Sequence, residues 1–187
     1  MFDTKTLEHL VNAELREAAL FGLSHIERAK KNFDSIKEEL KFDEEVASLS
    51  LMLHCVGARQ WIQFNQDLTA TSVNLTKRFL TQANYPSKNF DQIIHCVQES
   101  GLSGKPKTIE AMLVHDANML DEIGAIGILK DSVLFVKQRK TQEQFLDCLR
   151  AKSFHLNETF FTEKGRELSE EGIEYYVSFV KILQKEL

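Results

Sequence analysis

Apolar residues recur at three- and four-residue steps through most of this chain, and only Pro86 and Pro106 interrupt it. That spacing lines up one side of a 3.6-residue helix, whereas a half-buried strand needs strict alternation. No segment alternates apolar and polar residues over strand length, so the chain is read as all-α. With 187 residues, 43% of them hydrophobic, it is long enough to bury one substantial core. It shows no internal repeat, low-complexity stretch or linker, and residues 1–187 are expected to form a single helical bundle.

Taken in order, residues 4–19 form a first helix, with Leu7, Leu10, Val11, Leu15 and Ala18 on one face. A second starts at Gly22 or Ser24. It carries His25, Ile26, Ala29, Phe33 and Ile36 inward and Lys30, Lys31, Lys37 and Glu38 outward. Asp43, Glu44 and Glu45 make an acidic helix start, favourable beside free backbone N–H groups. The helix they open, residues 46–56, is apolar nearly all round and so belongs in the core; His54 sits inside it, and Gly57 ends it. Residues 58–70 read as a loop or a broken short helix. Residues 71–83 and 88–100 read as helices, the second carrying His95. A loop spans residues 101–106, further helices fall near residues 109–136 and 142–152, and Thr162 opens the last helix.

Charge and cysteine usage exclude several classes. The net charge of -5 argues against a general nucleic-acid surface, which would be basic. No apolar run approaches the ~20 residues that span a bilayer. Three scattered cysteines give no disulfide framework, and the first residues lack the shape of a signal peptide. A reducing, cytoplasmic setting is expected.

The most informative stretch is residues 108–130. Ile109, Met112, Leu113 and Leu120 share a helix side with Asp116. A bare carboxylate is expensive to bury there. It needs a cation, a cluster of donors or a metal. The small residues Gly124, Ala125 and Gly127 mark a turn or a close backbone approach. Two imidazoles, His25 and His54, recur in apolar helices elsewhere in the chain. Each one alone reads as a satisfied core histidine; with Asp116 they make a reasonable three-ligand divalent-metal site.

In these residues the chain resembles the HD-domain superfamily of metal-dependent phosphohydrolases. Their pattern is His … His-Asp … Asp on an all-α fold, and the likeness is to small bacterial HD proteins that include nucleotide pyrophosphohydrolases. The likeness runs from His25 to Lys130, is most specific at residues 116–128, and returns weakly at residues 162–168. It implies His25, His54 and Asp116 as ligands of a divalent metal (manganese, magnesium or zinc). It also implies a small phosphorylated substrate such as a nucleotide. His95 would lie near the metal or the phosphate, against a partly exposed structural role. Asp121 would orient a ligand histidine, against a capping role. Arg28, Arg59 and Lys130 would meet phosphate or simply be solvated.

Two departures stand out. The doublet reads His54-Cys55, and Asn118 stands where the family usually has a second Asp. Cys55 either ligates as a thiolate, favouring zinc or iron over magnesium, or stays a neutral core thiol beside a weakened three-ligand site. The pair His115-Asp116 is not the family doublet, because no Asp follows Asp147 to close the pattern. The resemblance therefore implies a metal-dependent phosphohydrolase or, alternatively, a degenerate HD domain that binds or regulates.

Overall fold

Side-chain caps set most of the helix starts. Asp3 accepts from Thr6 N ahead of α1 (Thr4–Leu15). Asp43 accepts from Glu45 N and Val46 N ahead of α3 (Glu44–Leu53). Asp67 does the same for α5 (Leu68–Gln82), Thr108 for α7 (Ile109–Leu120) and Thr162 for α10 (Glu163–Glu186). Thr141 and Gln144 form a reciprocal capping box at α9 (Gln142–Thr159). Each such cap satisfies a backbone N–H with no intrahelical partner. The other helices are α2 (Leu23–Ile36), α4 (Ala58–Phe64), α6 (Phe90–Gln98) and α8 (Gly124–Lys137). This computed structural model describes residues 2–37 and 40–187. Among these residues there are α-helices and 3-10 turns and no strand. Glu38, read from sequence as part of a charged face, lies outside the described residues.

The helices bury two apolar clusters. The larger is built from α1 to α7, with Leu7, Phe33, Leu53, Phe79, Ile93 and Leu113 among its members. The smaller lies where the end of α7 meets α8, α9 and α10, through Met119, Leu149, Leu156, Tyr176 and Val180. Helix α7 serves both, which explains why none of its residues is exposed, its polar His115 and Asp116 included.

Sequence and structure differ at three places that bear on the site. The helix expected over residues 46–56 begins at Glu44, under the Asp43 cap, and ends at Leu53. His54 and Cys55 therefore lie in the turn that follows it. Gly57 stands before α4 rather than closing α3, because the α5 backbone comes within reach there. A β-carbon on Gly57 would sit 2.8 Å from Ser72 N, and Gly57 N donates to Ser72 Oγ. The first helix stops at Leu15, and a 3-10 turn, Ala19–Phe21, leads the chain into α2.

Candidate functional site

Helices α2 and α7 pack side by side, and their polar residues meet inside the larger core. His25, in the first turn of α2, is 2% exposed. Asp121, directly after α7, is 3% exposed. Asp121 Oδ2 lies 2.6 Å from His25 Nδ1. Arg28, one turn on from His25, donates to the same carboxylate from Nε at 2.5 Å and from Nη2 at 3.0 Å. Lys130, reaching in from α8, adds a contact of 3.2 Å to Asp121 Oδ2 and a short ion pair with Glu122. His25 Nε2 faces His54 Nε2 at 2.8 Å. His54 Nδ1 is held in turn by the Leu51 carbonyl at 2.7 Å. The Cys55 thiol donates to the Phe21 carbonyl at 3.6 Å. Among the described residues, His25, His54 and Cys55 form a group whose ligand atoms all lie within 4.8 Å of one another.

Burial and charge set the ionisation of this cluster. Burial alone would raise Asp121, but hydrogen bonds from His25 and Arg28, with the charge of Lys130, hold it well below the usual carboxylate range. Burial alone would lower Lys130, but Glu122 and Asp121 outweigh it and hold the ammonium above its usual value. Burial lowers His25 despite its bond to Asp121. Burial and the neighbouring His25 lower His54 to about 3. Burial pushes the Cys55 thiol up to about 12.

A cavity of about 360 Å³ opens onto this cluster. Its walls are mostly apolar: Phe21, Trp61, Leu68, Leu102, Met119 and Leu134. Its polar lining comes from His25, His54, Asn118, Ser100, Glu122, Lys130 and Lys152. Lys152 bridges Glu122 at 3.4 Å and Asp131 at 2.9 Å.

Two residues read from sequence as site members lie elsewhere. Asp116 is fully buried, but its oxygens accept from Phe161 N at 3.0 Å, Thr162 N at 2.7 Å and Thr162 Oγ1 at 2.7 Å. Of the three ways to bury that carboxylate, the fold uses the cluster of donors. Asp116 anchors the start of α10 and is not among the converging ligand atoms. Asn118 instead lines the cavity and donates from Nδ2 to the Ser100 carbonyl at 2.7 Å. The helix explains the exchange: Asn118 shares a face with Asp121 and Glu122 at three- and four-residue steps, whereas two residues back points away. That spacing was readable in the sequence. His95 accepts from Lys107 N at 3.2 Å. It ties down the loop before α7 and is not among the residues lining the cavity. Arg59 pairs with Glu14 at 2.9 Å. Asp121 is the C-terminal cap residue of α7, and its carboxylate also contacts His25 Nδ1; Cys55 lies beside His54 and His25.

The donor set can be weighed against the metals that the resemblance implies. Magnesium and manganese need hard oxygen ligands. Position 55 offers sulfur, position 118 an amide, the carboxylate of Asp116 is engaged elsewhere, and those of Asp121 and Glu122 are taken up by His25, Arg28, Lys130 and Lys152. The residues present do not fit a hard divalent ion.

The all-α bundle has the fold seen in solved HD superfamily hydrolases. It takes the form seen in small bacterial proteins of the YpgQ type. The crystal structure of Bacillus subtilis YpgQ in complex with ADP superposes with a TM-score of 0.70, at 21% identity over 97% of each chain. A Lactobacillus plantarum protein superposes with a TM-score of 0.77, at 17% identity over 100% of this chain and 98% of its own. A predicted HD superfamily hydrolase from an uncultured Thermotogales bacterium gives 0.64, at 19% identity over 98% and 91%. In sequence, the chain is 29% identical to the uncharacterized protein YpgQ of Bacillus subtilis over 114 residues, which spans about half of either protein (54% of each). The chain matches no family model. No helix among the described residues is long and apolar enough to cross a membrane.

Proposed function

We propose that this protein is a degenerate HD domain whose cavity binds a small phosphorylated ligand, in the first place a nucleotide, without magnesium- or manganese-dependent hydrolysis. One observation carries the reading. The cavity keeps both family histidines but holds Cys55 and Asn118 where the hard-metal pattern has carboxylates. A hard cation that polarises a phosphoryl oxygen and supplies hydroxide therefore has too few oxygen ligands.

What remains suits binding. A volume of about 360 Å³ lies within the range of small-molecule sites, where apolar walls surround a few placed polar groups. Phe21 and Trp61, packed edge to face at 5.1 Å, offer apolar aromatic surface to a base. Lys130 and Lys152 offer cationic groups on the same cavity. The structural likeness to a YpgQ complexed with ADP supports a nucleotide as the first ligand to try.

The test compares the wild type with the double variant Cys55→Asp/Asn118→Asp. Calorimetry with ADP and ATP reads binding, and phosphate release under manganese reads hydrolysis. The wild type is expected to bind nucleotide and release no phosphate above background, whereas the double variant gains manganese-dependent release. Equal hydrolysis by both proteins overturns the loss of hydrolysis. A wild type that binds neither nucleotide overturns the ligand class.

A further inference from the structure

Resting on the nucleotide reading above, we propose that the ligand lies base inward, with its phosphates outside the cavity, in a groove between α4 and the end of α8 where Lys137 and Arg139 receive them. The charges inside the cavity already balance one another. Lys130 is shared between Asp121 and Glu122, and Lys152 between Glu122 and Asp131. Arg28 pairs with Asp121 as well, so three carboxylates answer the three cations of this network. Phosphates brought in here would be buried beside those carboxylates or would have to displace them, and like charges out of water are costly. With Asn118 and Ser100, the same lining groups form a mixed set of donors and acceptors, which suits the hydrogen-bonding edge of a base. Phe21 and Trp61 supply aromatic surface for its faces.

The groove has a volume of about 760 Å³ and adjoins the cavity, because Trp61 and Leu134 line both. Lys137 and Arg139 line it, and among the described residues no carboxylate does. Neither of these cations has an ion pair among the described residues, so both are free to meet an anion. Helix geometry sets the spacing. Lys130, Leu134 and Lys137 follow one another at four- and three-residue steps along one side of α8. The first lines the cavity beside the histidine pair, the second the junction and the third the groove. Seven residues of helix advance by ~10 Å, comparable with the reach from a base to the second phosphate of a nucleoside diphosphate. Arg139 carries a second mark. Its φ of +52 is left-handed, just beyond the end of α8, where glycine or asparagine is the usual residue. Such strain clusters at ligand clamps, and here it falls on a residue whose side chain lines the groove.

The test titrates full-length wild type, Lys137→Gln, Arg139→Gly and the double variant with adenosine, AMP and ADP by calorimetry, without added metal and at two salt concentrations. The wild type is expected to bind ADP more tightly than adenosine, by a margin that shrinks at high salt because the groove's charges face water. The double variant is expected to lose ~10-fold or more in ADP affinity, the scale of one charge-assisted hydrogen bond, with adenosine affinity unchanged. Glycine suits the left-handed position, so Arg139→Gly is expected to melt no lower than the wild type, and its loss of ADP affinity is then not one of folding. Unchanged ADP affinity in the folded double variant overturns the groove and leaves the nucleotide reading standing. A double variant that loses adenosine and ADP alike overturns the assignment of these cations to phosphate, as does a wild type that binds adenosine and ADP equally. A wild type that binds none of the three compounds overturns the nucleotide reading and this orientation with it.

Discussion

Asp116 and Asp121 are on or next to the same helix, and their partners give them opposite uses. Asp116 gathers backbone donors from the start of α10. Asp121 gathers His25, Arg28 and Lys130, so it holds one imidazole in place while neutralising two cations. Because those partners depress its folded-state pKa, Asp121 takes up a proton less readily when folded than when unfolded. Its stabilisation is complete above the unfolded value of about 3.9 and is lost as pH falls through the folded value. Asp121→Asn is therefore expected to lower stability at about pH 7 by roughly 2–4 kcal/mol, since Lys130 and Arg28 lose a buried partner. The loss should shrink toward about pH 3, where the unfolded chain has taken up the proton that folded Asp121 still excludes. Denaturant titrations at the two pH values read the difference. A loss of equal size at both would assign Asp121 a packing role only.

At the scale of the element, the start of α10 depends on one small residue. A β-carbon on Gly165 would lie 2.5 Å from Asp116 Oδ2 and 2.6 Å from Thr162 Oγ1. Both atoms belong to the anchor that holds this helix against α7. Replacing glycine by alanine inside a helix ordinarily stabilises it by up to ~1 kcal/mol. Here Gly165→Ala is expected to destabilise instead, by roughly 1–3 kcal/mol, because the overlap displaces a buried hydrogen-bonded carboxylate. A melting temperature equal to or above that of the wild type would show that the anchor yields without cost. Gly127 plays a comparable part in α8, where a β-carbon would run into the Glu122 carbonyl. The small residues of that stretch thus mark a close approach, and Gly124 with φ +62 the turn before it.

Across the whole molecule, a chain of polar contacts joins the two apolar clusters. Tyr176 of α10, fully buried, donates to Asp131 at 2.7 Å. Lys152 of α9 bridges Asp131 and Glu122, and Lys130 of α8 joins Glu122 to Asp121 and so to His25. The last three helices thereby brace one wall of the cavity. Tyr176→Phe removes the outermost link and leaves Asp131 short of a donor. It is expected to cost about 1–2 kcal/mol in chemical denaturation, with nucleotide affinity nearly unchanged because Lys152 keeps Asp131 paired. A large loss of nucleotide binding with unaltered stability would mean instead that the chain transmits positional changes to the cavity.

Helix periodicity alone determined the all-α architecture, since the 3.6-residue pattern is local and each amphipathic face can be read within its own segment. The caps at Asp43 and Thr162 were legible for the same reason. His25 and His54 were legible through their apolar surroundings and the family pattern, and Cys55 through its place in the doublet. The sequence did not determine which polar residue of α7 faces the cavity. Asp116 and Asn118 are two residues apart on one helix, so they point to different sides, and which side becomes the cavity depends on where α10 docks. Only the tertiary structure places the Phe161 and Thr162 backbone donors against Asp116, 45 and 46 residues away in the chain. Nor could local spacing bring the ring nitrogens of His25 and His54, 29 residues apart, to 2.8 Å. That approach is produced by the packing of α2 against α7 and by the end of α3 at Leu53, which sets His54 in the turn facing α2.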